Sequence, residues 1–101
     1  MKHEGDVKKE IRKVLDAIED VWYFMPSANG FGTPGIPDFV GSWSGRCFTI
    51  EAKFGRGVQT AWQKKQQKLI TAADTPYLLI DETDVHDLQR MLYVVLGRRD
   101  C

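Results

Sequence analysis

The stretch Phe48-Thr49-Ile50-Glu51-Ala52-Lys53-Phe54 alternates strictly between apolar and polar residues. On an extended chain Phe48, Ile50, Ala52 and Phe54 point one way, and Thr49, Glu51 and Lys53 the other. A carboxylate and an ammonium therefore leave one face, one pleat apart. A short way upstream, Gly35-Ile36-Pro37-Asp38 places a second acid at the start of a neighbouring strand. Two acids and a lysine brought together can hold a divalent cation beside a phosphodiester. Hard cations such as Mg²⁺ take one or two carboxylates together with waters and substrate oxygens. The ion offsets charge on the phosphate and lowers the pKa of a bound water. A lysine is a point charge able to orient that water or steady the pentacovalent phosphate.

The same strand also reads as a half-exposed edge whose polar face meets water. Glu51 and Lys53 would then be a solvated pair contributing roughly 0 to 1 kcal/mol. Asp38 shifts the balance, because hairpin pairing can bring its carboxylate close to Glu51.

The elements that must position these groups follow from periodicity. Val7, Ile11, Val14, Leu15 and Ile18 form one apolar stripe on a helix expected over residues 3–19. Glu4 falls within that stripe and Glu10 on its flank; either is an acid directed at the core or, for Glu4, a first-turn acid on the helix dipole. Val21 to Met25 is rich in strand formers and stops at Pro26. Residues 27–37 carry three glycines and two prolines and read as a loop, in which Gly30-Phe31-Gly32 is too short for a phosphate-binding motif. Asp38 to Trp43 and Arg46 to Phe54 read as strands joined at Ser44-Gly45. A helix is expected from Thr60 to Ala73, with Trp62, Leu69 and Ala73 on its core side. Thr60 and Gln63 have the spacing of a capping box. Pro76 to Ile80 reads as a short apolar strand. A last helix begins at Thr83, has Val85, Leu88, Leu92 and Val95 as its stripe, and ends at Gly97. The order α-β-β-β-α-β-α predicts a single layered α/β domain over residues 1–101, a small mixed sheet flanked by helices.

At 101 residues and 43% apolar content the chain can bury a modest core. No apolar run reaches the eighteen or so residues of a membrane span, and the charged stretch Met1 to Arg12 lacks a signal-peptide pattern. Cys47 and Cys101 make no disulfide framework, and His3 and His86 are too scattered for a zinc site. A reducing, cytoplasmic compartment is expected. The net charge is formally zero, which is unlike most nucleic-acid binders. Yet every charge from Lys53 to Lys68 is positive and every charge from Asp74 to Asp87 is negative, so one face can be basic and another acidic. Two solvated helix faces would carry the same pattern.

Pro37-Asp38 followed by Glu51-Ala52-Lys53 resembles the PD-(D/E)XK signature of the restriction-endonuclease-like nucleases. More closely, the chain resembles the virus-type replication-repair nuclease (VRR-NUC) branch, in the order Glu4, Gly35-Ile36-Pro37-Asp38, Glu51-Ala52-Lys53 and Gln63, from Glu4 to about Ile80. The resemblance implies a restriction-endonuclease-like core. It makes Asp38 and Glu51 ligands of Mg²⁺ (Mn²⁺ substituting), with the backbone carbonyl of Ala52 a third. Lys53 becomes the catalytic lysine, Glu4 a support to the metal through water, and Gln63 a group orienting Lys53 or a metal-bound water. The capping box is the competing role for Gln63, and the two are not easily filled at once; Gln66 and Glu10 are rivals to Gln63 and Glu4. The implied substrate is DNA, branched as in a Holliday junction or flap, cut by a homodimer. Arg56, Lys64, Lys65 and Lys68 would contact phosphates without reading bases. Trp22, Tyr23, Trp43 and Tyr93 suit a buried dimer face or a monomer core. A flap, nick or single-strand nuclease with the same site, or a non-catalytic DNA-binding subunit, are the alternatives.

Overall fold

The computed structural model describes residues 1–27 and 32–97. The Gly30-Phe31 part of the glycine-rich loop and the polar tail with Cys101 lie outside the described residues. The elements are α1 (Glu4–Ala17), β1 (Val21–Phe24), β2 (Phe39–Trp43), β3 (Arg46–Ala52), α2 (Ala61–Ala72), β4 (Tyr77–Ile80), a 3-10 turn (Val85–Asp87) and α3 (Leu88–Val95). The protein is α/β, with a small mixed sheet and helices on both of its faces.

The sheet runs β1-β2-β3-β4. Its first two pairings are antiparallel and the third, β3 with β4, is parallel. A parallel neighbour needs a crossover, which α2 supplies. Ser44 and Gly45 link β2 to β3 with φ of 50° and 88°, the double left-handed conformation of a two-residue hairpin turn. Trp43 consequently pairs with Arg46 and Phe39 with Ile50.

Registered partners share a face, so Phe39, Trp43, Phe48, Ile50, Leu78 and Ile80 line one side. Val7, Ile11 and Leu15 of α1, with Leu88 and Leu92 of α3, close that side into one apolar cluster. Tyr23 belongs to the same side and donates to Asp16 at 2.7 Å. Trp43 meets Tyr93 edge-on, ring centroids 6.2 Å apart. Trp22, by strand alternation, lies on the opposite side of the sheet. The four aromatics therefore do not form one surface.

One expected stripe is placed differently, and a second, Val85, Leu88 and Leu92, is buried as expected but ends on another residue. No residue of α2 is buried, and Trp62 and Leu69 are each 55% exposed. The sheet face beneath α2 carries Thr49, Glu51 and Tyr77, which offer polar partners, beside a partly exposed Leu79. Glutamines answer: Gln59, ahead of the helix, donates through Nε2 to Oε1 of Gln67 in α2 at 2.9 Å and to the Tyr77 hydroxyl at 3.2 Å. In α3, Val95 is exposed and Leu96 is buried instead. The 3-10 start sets the phase, after which Leu88, Leu92 and Leu96 recur at i+4.

Candidate active site

β3 is polar on one face, yet from Phe48 to Ala52 it is buried on both. Thr49 is 6% exposed and Glu51 1% exposed, which removes the solvated-edge alternative for this strand. Thr49 donates to the Pro76 carbonyl at 2.8 Å, whereas Glu51 is a carboxyl whose ionised form burial penalises strongly.

Four elements meet Glu51 at this end of the sheet. Pro37 fixes the entry to β2, and the Asp38 carboxylate accepts the Ala52 main-chain N–H through Oδ2 at 2.8 Å. That bond ties the first acid to the strand carrying the second. From α2, Gln63 Nε2 donates to Glu51 Oε2 at 2.9 Å, and Gln63 Oε1 accepts from Lys53 Nζ at 2.9 Å. Lys53 leaves the end of β3, where its own N–H donates to the Ile80 carbonyl at 2.9 Å. From α1, Glu4 Oε1 stands 4.0 Å from Lys53 Nζ. Glu10 instead pairs with Lys13 at 3.4 Å, so Glu4 is the acid of α1 that faces the cluster.

The capping box at α2 is also complete. Gln63 N donates to Thr60 Oγ1 at 3.1 Å, and Thr60 N donates to Gln63 Oε1 at 2.9 Å. The cap and the bonds to Glu51 and Lys53 do not exclude one another, because an amide oxygen has two lone pairs and its NH₂ is a separate donor. Gln63 caps its helix and bridges Glu51 to Lys53 with one side chain.

Gly35 makes this convergence possible. Its φ is +79°, and a Cβ there would lie 2.3 Å from both the carbonyl carbon and oxygen of Trp62 and 2.7 Å from Gln63 N. The loop leading to Asp38 therefore packs directly on the first turn of α2.

Lys8 escaped the sequence reading. Its Nζ lies 3.2 Å from Asp38 Oδ1 and 3.8 Å from Glu4 Oε2. The available signal was its i+4 spacing from Glu4, which stacks the two on one helix face. Burial works against the Lys8 charge, but Asp38, Glu4 and Glu51 outweigh it and hold its pKa above the ordinary lysine value.

Burial, then repulsion and hydrogen bonding from Asp38, push the Glu51 carboxyl up to about 8; Lys53 pulls it down in part, and Glu4 adds to the rise. Glu51 Oε1 is buried and no donor among the described residues reaches it. The cluster holds three acids, Glu4, Asp38 and Glu51, against two lysines, Lys8 and Lys53. A buried acceptor without a donor beside a second carboxylate suits a hard divalent cation. The described residues contain no group of three or more His, Cys, Asp or Glu side chains that could hold an ion by themselves. Asp38 and Glu51 would hold it, leaving the remaining positions to a main-chain carbonyl such as that of Ala52, to water and to substrate.

Arg56, Lys64, Lys65 and Lys68 are exposed. Lys65 Nζ sits 5.7 Å from the centroid of the Trp62 ring. Cys47 is an exposed free thiol. No helix among the described residues is long and apolar enough to cross a membrane.

No protein-family model matches the chain, and no curated protein matches it.

Proposed function

We propose that this protein is a Mg²⁺- or Mn²⁺-dependent endodeoxyribonuclease of the VRR-NUC type, with a restriction-endonuclease-like core, acting in the cytoplasm. The observation that carries the reading is Glu51: a buried carboxylate with one oxygen lacking a donor, beside Asp38 and joined through Gln63 to Lys53. A DNA-binding subunit has no need to hold these charges together out of water.

A divalent cation held by Asp38 and Glu51 would supply a water of lowered pKa and offset charge on the phosphate. Lys53 presents its ammonium beside that position, its direction set by the Gln63 amide oxygen, and stabilises negative charge as the phosphate becomes pentacovalent. Gln63 also holds Glu51 Oε2, so the acid and the lysine keep a constant relation. Glu4 and Lys8 balance charge at the rim. Arg56, Lys64, Lys65 and Lys68 hold phosphates and give no base readout. We further propose branched DNA, a four-way junction or flap, as substrate and a homodimer as the working unit, since a two-fold axis suits paired cuts.

The test is cleavage of four-way junction, flap and linear DNA with Mg²⁺, Mn²⁺ or EDTA. Lys53→Ala and Asp38→Asn are expected to abolish cutting while DNA binding persists. Normal cutting by either variant overturns the assigned site. Equal cleavage of junction and plain duplex overturns the structural selectivity.

A further inference from the structure

Helix α2 turns Gln63 to the sheet and leaves Trp62 and Leu69 largely outside. Trp62 and Leu69 are each 55% exposed, and Val58, just before the helix, is 79% exposed. The same helix carries Lys64, Lys65 and Lys68, all exposed, and no acid. Lys65 Nζ lies over the Trp62 ring, so a large aromatic surface with a cation on it is held on the turn that carries Gln63, the residue that bridges Glu51 and Lys53. We propose that Trp62, with Lys64, Lys65 and Lys68, is a docking surface for an unpaired stretch of a nucleic-acid strand, the indole stacking on a base. The proposal rests on the nuclease reading and sharpens it, because it makes single-stranded segments part of the recognised substrate.

Charge selects the occupant. An isologous contact with a second copy would set the same three lysines against each other, whereas a phosphate backbone neutralises them. Stacking selects the form of the strand. In a continuous duplex the base faces are covered by their neighbours, but an unpaired base has a free π-face, and the indole offers a sequence-tolerant platform for it. Lys65, already over the Trp62 ring at 5.7 Å, is placed to meet the phosphate next to a stacked base.

The experiment is fluorescence anisotropy in EDTA, with a labelled 15-nucleotide oligo-dT and a duplex of the same length. Trp62→Ala is expected to weaken oligo-dT binding roughly ten-fold, to leave duplex binding within about two-fold, and to be rescued by Trp62→Phe. Lys64→Ala should weaken both ligands alike. Circular dichroism checks the fold of each variant, and Trp62→Gln serves if Trp62→Ala is not folded. Equal losses for both ligands, or no loss for oligo-dT, overturn the proposal. So does a dimer that Trp62→Ala dissociates while nucleic-acid binding is unchanged. A protein that binds oligo-dT through Trp62 yet cuts no DNA with Mg²⁺ keeps this surface and loses the nuclease reading; one that binds neither ligand loses both.

Discussion

The Gln63 amide donates to the buried Glu51 carboxylate across 2.9 Å while its oxygen also closes the capping box with Thr60. Stability and site geometry are therefore joined in one side chain, and two substitutions separate them. Thr60→Ala removes only the cap and is expected to cost about 1 kcal/mol, with cleavage within about three-fold of wild type. Gln63→Ala loses the cap and frees both Glu51 and Lys53, so cleavage should fall at least ten-fold further than stability alone explains. Denaturant titration beside single-turnover rates reads both; matching losses of rate in the two variants would reject the bridge.

Glu51 sets a pH dependence for the metal-free protein. Its folded pKa of about 8 lies above the ordinary carboxylate value, so the folded state binds a proton that the unfolded chain has released. Between about pH 4.5 and pH 8 the stability in EDTA should therefore fall as pH rises, with a limiting slope of about 1.4 kcal/mol per unit. Glu51→Gln should flatten this slope and be the more stable protein at pH 8. Mg²⁺, which needs the ionised carboxylate, should restore wild-type stability there and not that of the variant. Urea unfolding at several pH values is the measurement, and an unchanged slope in Glu51→Gln would falsify the assignment.

Gly35 is intolerant of a side chain for two reasons at once, a left-handed φ of +79° and a Cβ position 2.3 Å from the Trp62 carbonyl. Both the strain and the overlap fall on backbone, which cannot rotate aside. Gly35→Ala should cost about 2 kcal/mol or more, and it should lower cleavage in the fraction that remains folded, because Asp38 and Gln63 move apart. Gly45, where nothing lies within 4 Å of an added Cβ, is the control: Gly45→Asn keeps the left-handed turn and should be near neutral. Thermal melts of the two variants should differ by several degrees.

Lys8 supplies the positive charge nearest Asp38, at 3.2 Å. Lys8→Met should lower the melting temperature in EDTA by a few degrees, since a partly exposed pair contributes about 1 kcal/mol or less. The rise in melting temperature on adding Mg²⁺ should be larger than in wild type, because the ion then relieves more carboxylate repulsion. An equal rise in both proteins would separate Lys8 from the metal position.

Local pattern marks the elements and most of their ends. Strict alternation marks β3, the Ser44-Gly45 pair sets the β2–β3 register, and Val7, Ile11 and Leu15 mark the buried face of α1. These signals are local: each arises from a period of two or 3.6 residues, or from a turn conformation that few residues adopt. The residues Asp38, Glu51, Lys53, Glu4 and Gln63 were also legible, through their spacing and family resemblance. Which faces meet is set by the packing of elements distant in the chain. Alternation could not tell whether the polar face of β3 meets water, and it is α2 that buries it. Trp62 and Leu69 looked like core residues until the sheet beneath α2 proved polar. Lys8 and Gly35 act on partners 30 and 27 positions away, Asp38 and Trp62, and no local period encodes such a meeting. The Glu51–Gln63–Lys53 bridge belongs to that second kind: its residues are readable one by one, and their hydrogen bonds exist only because a parallel crossover lays α2 across the end of β3.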